Sequence, residues 1–168
     1  MPVGTAALTV LLVAWVASSP AVAQFETRAA FLAHSGAYSL AVGDFNRDGI
    51  LDVAEVNANP TGSVEILLGN RDGTFRLGTT YAVAIFPHYA ATTSLRKNGI
   101  LDLVFNDKLG DNVWVMLGNG DGTFQAAVAY PTTAESYMVG VGAFRNAGEV
   151  DIVAPRGDRH QGKSLLLR

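Results

Sequence analysis

The sequence predicts an all-β fold: a β-propeller of four-stranded blades, of which the chain supplies about three, as a partial or half ring. Three observations support this prediction. A motif recurs about every 49 residues, short β-prone runs lie between clusters of Gly, Asn, Asp and Pro, and no helical period is sustained. Four antiparallel strands in roughly 40 to 50 residues are typical of a propeller blade. An open β-solenoid is the alternative, although its repeats are usually shorter.

Two independent markers define the repeat. Residues 68–75 read LGNRDGTF and residues 117–124 read LGNGDGTF, so seven of eight positions match at an offset of 49. The second marker is NRDGILD at residues 46–52, which recurs as RKNGILD at 96–102 and, more weakly, as RNAGEVD at 145–151. Two markers with one period indicate a repeat architecture.

Each unit is expected to contain four short strands. In the first unit we predict strands at residues 38–45, 52–57, 63–68 and 75–83. Asp72 and Gly73 precede the last strand, and these residue types tolerate the positive φ that a hairpin needs. The units are predicted near residues 38–86, 87–134 and 135–168, with residues 24–37 as the outer strand of a neighbouring blade.

Aromatic residues recur in step with the units. Tyr38, Tyr89 and Tyr137 precede the three copies of the second marker, and we predict that they belong to the blade core, with a ligand surface as the alternative. The other recurrent aromatics are also predicted to be core: Phe45, Phe75, Trp114, Phe124 and Phe144. Of these, Trp114 is predicted to pack between blades.

The first 23 residues are predicted to be a signal peptide. They carry no charged side chain and end in Ala21-Val22-Ala23, a small-x-small cleavage pattern. The apolar run is shorter than the roughly 20 residues that span a membrane; a buried strand or an anchor is the alternative. We therefore expect cleavage near Ala23 and a chain that is secreted, at the cell surface or periplasmic.

Three blades are fewer than the four to eight of a closed ring. We therefore expect either a fragment of a longer propeller or a half ring that a homodimer completes.

A nine-residue loop has the spacing of a Ca²⁺ site. Its oxygen-bearing side chains stand at loop positions 1, 3, 5 and 9: Asp44, Asn46, Asp48 and Asp52. Gly49 allows a sharp turn, and the carbonyl of Ile50 can point inward. Carboxylates around a common centre repel one another unless a cation fills it. The alternative is a solvated, Asx-rich hairpin.

Glu55 completes a literal match to the EF-hand pattern. We reject that interpretation because both flanks are β-patterned rather than helical. Glu55 is instead predicted to be an outward-facing strand residue, with a role as a late ligand as the alternative.

The corresponding loops at residues 94–102 and 143–151 are degenerate. Positions 1, 3, 5 and 9 hold Ser94, Arg96, Asn98 and Asp102 in one, and Ala143, Arg145, Ala147 and Asp151 in the other. The Arg96 guanidinium would repel Ca²⁺ and could pair with Asp102 as a built-in cation. We therefore predict one Ca²⁺ per chain.

The loop motif and its flanks resemble the FG-GAP/VCBS repeat family. The resemblance rests on VGDFNRDGILDVA at 42–54, LGNGDGTF at 117–124 and DIVAP at 151–155. It implies a seven-bladed propeller when complete, and roles in cell adhesion, ligand binding or assembly. It also implies Ca²⁺ held by the loop: Asp44, Asn46, Asp48, the Ile50 carbonyl and Asp52.

The composition of the chain argues against several classes of function. The 168 residues have a net charge of −3 and no Cys, so we expect no nucleic-acid partner, thiolate zinc site or Cys nucleophile. No nucleophile elbow or phosphate loop is present. We predict a non-catalytic module that binds an unidentified protein or glycan. The alternative is a fragment of a larger secreted polysaccharide-active enzyme of lyase or dehydratase type. Arg156-Gly157-Asp158 spells an integrin-recognition tripeptide, which we interpret as an ordinary turn.

Overall fold

The computed structural model describes residues 36–58, 61–83, 86–132, 136–145, 148–155 and 164–167. All regular structure in these ranges is β, in three antiparallel sheets, so the all-β prediction is confirmed. The predicted signal peptide, most of the predicted outer strand at 24–37 and the tripeptide at 156–158 lie outside the described residues.

The first sheet has four strands in chain order, and each strand is hydrogen-bonded to the next. They are β1 (Ala37–Gly43), β2 (Asp52–Asn57), β3 (Ser63–Gly69) and β4 (Phe75–Ala82). These bounds agree with the predicted strands to within two residues. The agreement follows from local signals, because Gly and Asp at the turns interrupt each apolar run.

The second sheet repeats this order with β5 (Pro87–Thr93), β6 (Asp102–Asp107), β7 (Asn112–Met116) and β8 (Val128–Pro131). The third sheet has the order β11-β10-β9. Its strands are β9 (Gly140–Gly142), β10 (Asp151–Pro155) and β11 (Ser164–Leu167).

The sheets pack face to face in chain order. Successive residues of a strand point to opposite faces, and β6 shows this clearly. Leu103 and Phe105 belong to a buried cluster shared with the first sheet, whereas Val104 belongs to a cluster shared with the third. The first strands also follow one another, since β1 contacts β5 and β5 contacts β9.

Trp114 lies between two sheets, as the sequence predicted. It packs against the cluster between the first and second sheets and stacks on Phe105, with ring centroids 6.4 Å apart. Phe45 and Phe124 are buried as predicted.

The prediction of core positions was wrong for the three tyrosines and for Phe144, which are exposed. Tyr38 lies at the junction with the second sheet, where its ring contacts Phe86 at 5.3 Å and His88 at 5.1 Å between centroids. These contacts cover only part of Tyr38, which remains 51% exposed.

Candidate metal-binding loop

The loop predicted to bind Ca²⁺ joins β1 to β2 at one end of the first sheet. Two of its residues adopt left-handed backbone angles, Arg47 with φ of 63° and Gly49 with φ of 82°. Nothing lies within 4 Å of the place where a Cβ of Gly49 would stand. The backbone angle, and not lack of space, therefore favours glycine there.

Three of the predicted ligands are brought together by this turn. The Asp44 carboxylate accepts the Asp48 N–H at 3.1 Å and the Gly49 N–H at 2.9 Å. The Asn46 Oδ1 accepts the Asp48 N–H at 2.9 Å, and its Nδ2 donates to the Asp48 carboxylate at 2.9 Å. Asp48 also accepts the N–H of the half-buried Ile50 at 2.8 Å. The oxygen atoms of positions 1, 3 and 5 thus line one tight turn.

Asp52 occupies a different environment from the other three side chains. It is fully buried, and its two oxygens accept the Phe45 N–H at 2.8 Å and the Gly69 N–H at 2.9 Å. The carboxylate therefore ties the loop to the end of β3. In the part of the chain that the structure describes, no three His, Cys, Asp or Glu side chains converge as a metal-binding group.

The other two sheets also have a buried aspartate at the start of the strand that corresponds to β2. Asp102 begins β6 and Asp151 begins β10, and both are fully buried. Asp102 accepts the Leu95 N–H at 3.0 Å and the Gly118 N–H at 3.0 Å. These two bonds correspond to those that Asp52 accepts.

In these two sheets an arginine side chain forms an ion pair with the buried aspartate. Arg96 Nη2 donates to Asp102 Oδ1 at 2.6 Å and to the Gly118 carbonyl at 2.6 Å. The predicted pairing of Arg96 with Asp102 is therefore confirmed. Arg145 pairs likewise with Asp151, through Nε at 3.0 Å and through Nη2. We did not predict this second pair, although the signal was available, since each arginine stands six residues before its aspartate.

The Arg145–Asp151 pair shifts the pKa of both residues. Hydrogen bonding from the guanidinium is the main cause that lowers the pKa of Asp151 below its ordinary value of 3.8. The same bond raises the pKa of Arg145. The aspartate therefore stays ionised to more acidic pH than a solvated one.

Asp72 is a turn residue, as the sequence predicted. Its carboxylate accepts the Thr74 hydroxyl at 2.6 Å and the Thr74 N–H at 2.9 Å. Asp121 and Thr123 form the same pair of bonds in the second sheet. In each case the threonine hydroxyl is the main cause that lowers the pKa of the aspartate.

Glu55 lies on a strand, which supports rejecting the EF-hand interpretation, but it does not face solvent. Only 1% of its surface is exposed, so the prediction of an outward residue was wrong. It stands directly opposite Glu65 of β3, which is also buried. The physical reason is that β2 is an inner strand of its sheet, flanked by β1 and β3, and both of its faces are largely covered.

The loop predicted to bind Ca²⁺ packs on the β-turn of the next sheet. The Gly122 N–H donates to the Phe45 carbonyl at 3.0 Å. The Phe45 and Phe124 rings meet edge to face, with centroids 5.3 Å apart. The loop is therefore fixed both by Asp52 from its own sheet and by the turn of the following sheet.

No protein-family model and no curated protein sequence match the chain. The resemblance to FG-GAP/VCBS repeats consequently remains a prediction from the motifs. Among the described residues, no helix is long and apolar enough to cross a membrane.

Proposed function

We propose that the chain is a secreted, Ca²⁺-stabilised and non-catalytic β-propeller repeat module that binds a protein or a glycan. One observation carries the metal part of this proposal. At the loop position where the second and third sheets have an arginine paired with the buried aspartate, the first sheet has Asn46.

The exchange of arginine for asparagine changes the charge of the first loop. A buried carboxylate is costly unless a cation or several donors accompany it. Arg96 supplies the cation to Asp102, whereas no described Lys or Arg forms an ion pair with Asp52. The first loop instead adds two further carboxylates, Asp44 and Asp48, so an external cation would balance its charge.

The donor set fits Ca²⁺, which prefers hard oxygen ligands. Asp44, Asn46, Asp48, the Ile50 carbonyl and Asp52 would hold the ion. The carboxylate oxygens already accept hydrogen bonds from backbone N–H groups or, in one case, from the Asn46 side-chain amide, but each retains a second lone pair. When bound, Ca²⁺ would supply a hard positive charge that links the loop to the start of β2.

The packing of the sheets supports the propeller part of the proposal. The first two sheets share one strand order, and the three sheets stack in chain order with their first strands in succession. Blades of a propeller are arranged in this way around an axis lined by their first strands.

Exposed tyrosines supply a candidate binding surface. Tyr38 and Tyr89 lie in the first strands of their sheets, and Tyr137 lies just before β9. All three are exposed. Aromatic side chains with a polar tip are well suited to protein and sugar contacts.

Isothermal titration of the chain with Ca²⁺ tests the metal part. We expect one site with a Kd of roughly 10⁻⁴ to 10⁻³ M, as in extracellular modules. Asp48→Asn should abolish this binding, and Asp72→Asn, in the exposed hairpin turn, should leave it unchanged. Absence of Ca²⁺ binding by the unmodified chain would contradict the proposal.

A glycan and protein array tests the binding part. We expect that array ligands which bind the unmodified chain will not bind the double variant Tyr38→Ala/Tyr89→Ala. Tyr130→Ala is the control, because Tyr130 has a similar exposure but lies on the outer strand β8. Equal loss with the control would show that these tyrosines form no specific surface.

A further inference from the structure

The two Asn-Gly pairs of the sequence lie in two different loops of the second sheet. Asn98-Gly99 lies in the loop between β5 and β6, and Asn119-Gly120 lies in the turn after β7. An asparagine before glycine is chemically labile, because glycine has no Cβ to hinder attack of its backbone nitrogen on the side-chain amide. Both pairs belong to the unbroken described range 86–132.

The backbone nitrogen of Gly99 differs from that of its counterpart in the first loop. There, the Gly49 N–H donates to the Asp44 carboxylate at 2.9 Å. Ser94 stands at the position of Asp44 in the second loop, and the described residues offer no acceptor to the Gly99 N–H. Gly99 is exposed, and no described atom beyond its chain neighbours lies within 4 Å of the place where its Cβ would stand. Its nitrogen is therefore open to solvent and to the preceding side chain.

The amide of Asn98 is arranged favourably for attack. Its Oδ1 accepts the Ile100 N–H at 3.0 Å and the Ser94 hydroxyl at 3.4 Å. Donors at a carbonyl oxygen stabilise the negative charge that develops there when a nucleophile attacks the carbon. Asn98 is exposed, and no hydrogen bond from its Nδ2, the atom that would leave, is formed with the described residues.

Asn119 is held in a different way. Its Nδ2 donates to the Thr123 hydroxyl at 2.8 Å, and that hydroxyl donates to Asp121 at 2.6 Å. Gly120 is half-buried, and a Cβ placed on it would lie 3.3 Å from the Arg47 side chain. To react, the Asn119 amide would have to break its bond to Thr123 and turn toward a crowded nitrogen. The surroundings therefore protect a pair that has the same two residues.

We propose that Asn98 is a site of spontaneous deamidation and that the folded chain protects Asn119. The Gly99 nitrogen attacks Cγ of Asn98, and the new N–Cγ bond forms as the Cγ–Nδ2 bond breaks. Solvent carries the proton of the Gly99 nitrogen to Nδ2, which leaves as ammonia, and a cyclic succinimide remains. A water molecule then opens the ring at either carbonyl and gives aspartate or isoaspartate at position 98. No atom is oxidised or reduced.

The modification changes both the charge and the backbone of the second loop. Aspartate places a carboxylate at loop position 5, where the first loop has Asp48, and adds one negative charge to the net charge of −3. Isoaspartate lengthens the backbone by one methylene. This change falls within a turn in which Lys97 with φ of 54° and Gly99 with φ of 74° are left-handed. We therefore expect an aged sample to contain asparagine, aspartate and isoaspartate forms of this loop.

Incubation of the folded chain in EDTA at mildly alkaline pH tests the proposal. The sample is then digested with pepsin at acidic pH, where this reaction is slow, and mass spectrometry measures the amide lost at each pair. We expect Asn98 to react at least about fivefold faster than Asn119, because the hydrogen bond to Thr123 raises the barrier at Asn119. In the chain unfolded with guanidinium, the two pairs should react at similar rates.

Three substitutions test the structural reasons for this difference. Asn98→Gln retains an amide but places it one methylene further along the side chain, and it should abolish the reaction at position 98. Ser94→Asp supplies an acceptor for the Gly99 N–H, so it should slow the reaction at Asn98 by about fivefold. Thr123→Val releases the Asn119 amide, and it should accelerate the reaction at Asn119 toward the rate of the unfolded chain while the rate at Asn98 stays unchanged.

An isoaspartate-specific methyltransferase provides a second measurement, because only the succinimide route gives isoaspartate. It should label the aged unmodified chain far more strongly than aged Asn98→Gln. Equal rates at Asn98 and Asn119 in the folded chain would overturn the proposal. So would an Asn98 that keeps its amide in the folded chain while the unfolded chain loses it, or loss of the amide without any isoaspartate.

Discussion

Arg96 and Asp102 form the contact that joins three parts of the second sheet. Arg96 Nη2 lies 2.6 Å from Asp102 Oδ1 and 2.6 Å from the Gly118 carbonyl. Since Asp102 also accepts the Gly118 N–H, the loop, the start of β6 and the segment after β7 meet at one charged pair. The aspartate of this pair is fully buried, and the arginine is about one-third exposed.

Removal of the Arg96 charge should destabilise the chain. We expect Arg96→Gln to lower the free energy of unfolding by about 2 kcal/mol, because a buried carboxylate loses a charged donor. Urea denaturation at neutral pH measures the change. Arg71→Gln is the control, since Arg71 is exposed in a turn, and it should change stability by less than about 0.5 kcal/mol. Equal effects of the two substitutions would contradict a structural role for the Arg96 pair.

Asp52 should stabilise the fold even without a metal ion. In EDTA, we expect Asp52→Ala to cost about 2 to 4 kcal/mol, because the N–H groups of Phe45 and Gly69 lose their acceptor. Asp48→Ala, in the exposed part of the same loop, should cost less than about 1 kcal/mol under the same conditions. Thermal or urea unfolding checks both values. If Asp52→Ala were harmless in EDTA, its hydrogen bonds would not anchor the loop.

Two substitutions should give the second loop a Ca²⁺ site. Ser94→Asp combined with Arg96→Asn places oxygen side chains at positions 1, 3, 5 and 9, as in the first loop, and removes the repelling guanidinium. Titration calorimetry should then show two Ca²⁺ ions per chain instead of one. Arg96→Asn alone is the control, and it should not bind a second ion because it leaves a single carboxylate. A stoichiometry of one in the double variant would reject the equivalence of the two loops.

The Arg145–Asp151 pair should make stability fall at acidic pH. The pKa of Asp151 is lowered in the folded chain, so the unfolded chain takes up the proton first as the pH falls. The stabilisation is therefore complete above about pH 4, near the ordinary pKa of an aspartate, and is lost as the pH drops through the lowered value.

Urea midpoints measured between about pH 6 and pH 2 test this expectation. The unmodified chain should lose stability more steeply below about pH 4 than Arg145→Met, which lacks the pair. Arg71→Met should follow the unmodified chain. Parallel curves for all three proteins would show that the pair does not contribute.

Local patterns were sufficient to predict the strands and turns. Asp72-Gly73 and its copy at Asp121-Gly122 were recognised because turn chemistry depends on a few neighbouring residues. The pairing of Arg96 with Asp102 was predictable for the same reason, since the partners are six residues apart. The position of Asp52 was not, because its second anchor, Gly69, is 17 residues away and belongs to another strand.

By itself, the sequence determined the all-β class, the strands of the first unit, the turns and the oxygen-rich loop, since each depends on contiguous residues. Tertiary structure alone decided which side chains are covered. Phe45 and Phe144 occupy equivalent positions, yet one is buried and the other is exposed. Glu55 is buried although its strand pattern indicated solvent. The physical reason is that burial depends on what packs against a face, and neighbouring residues in the chain do not specify this.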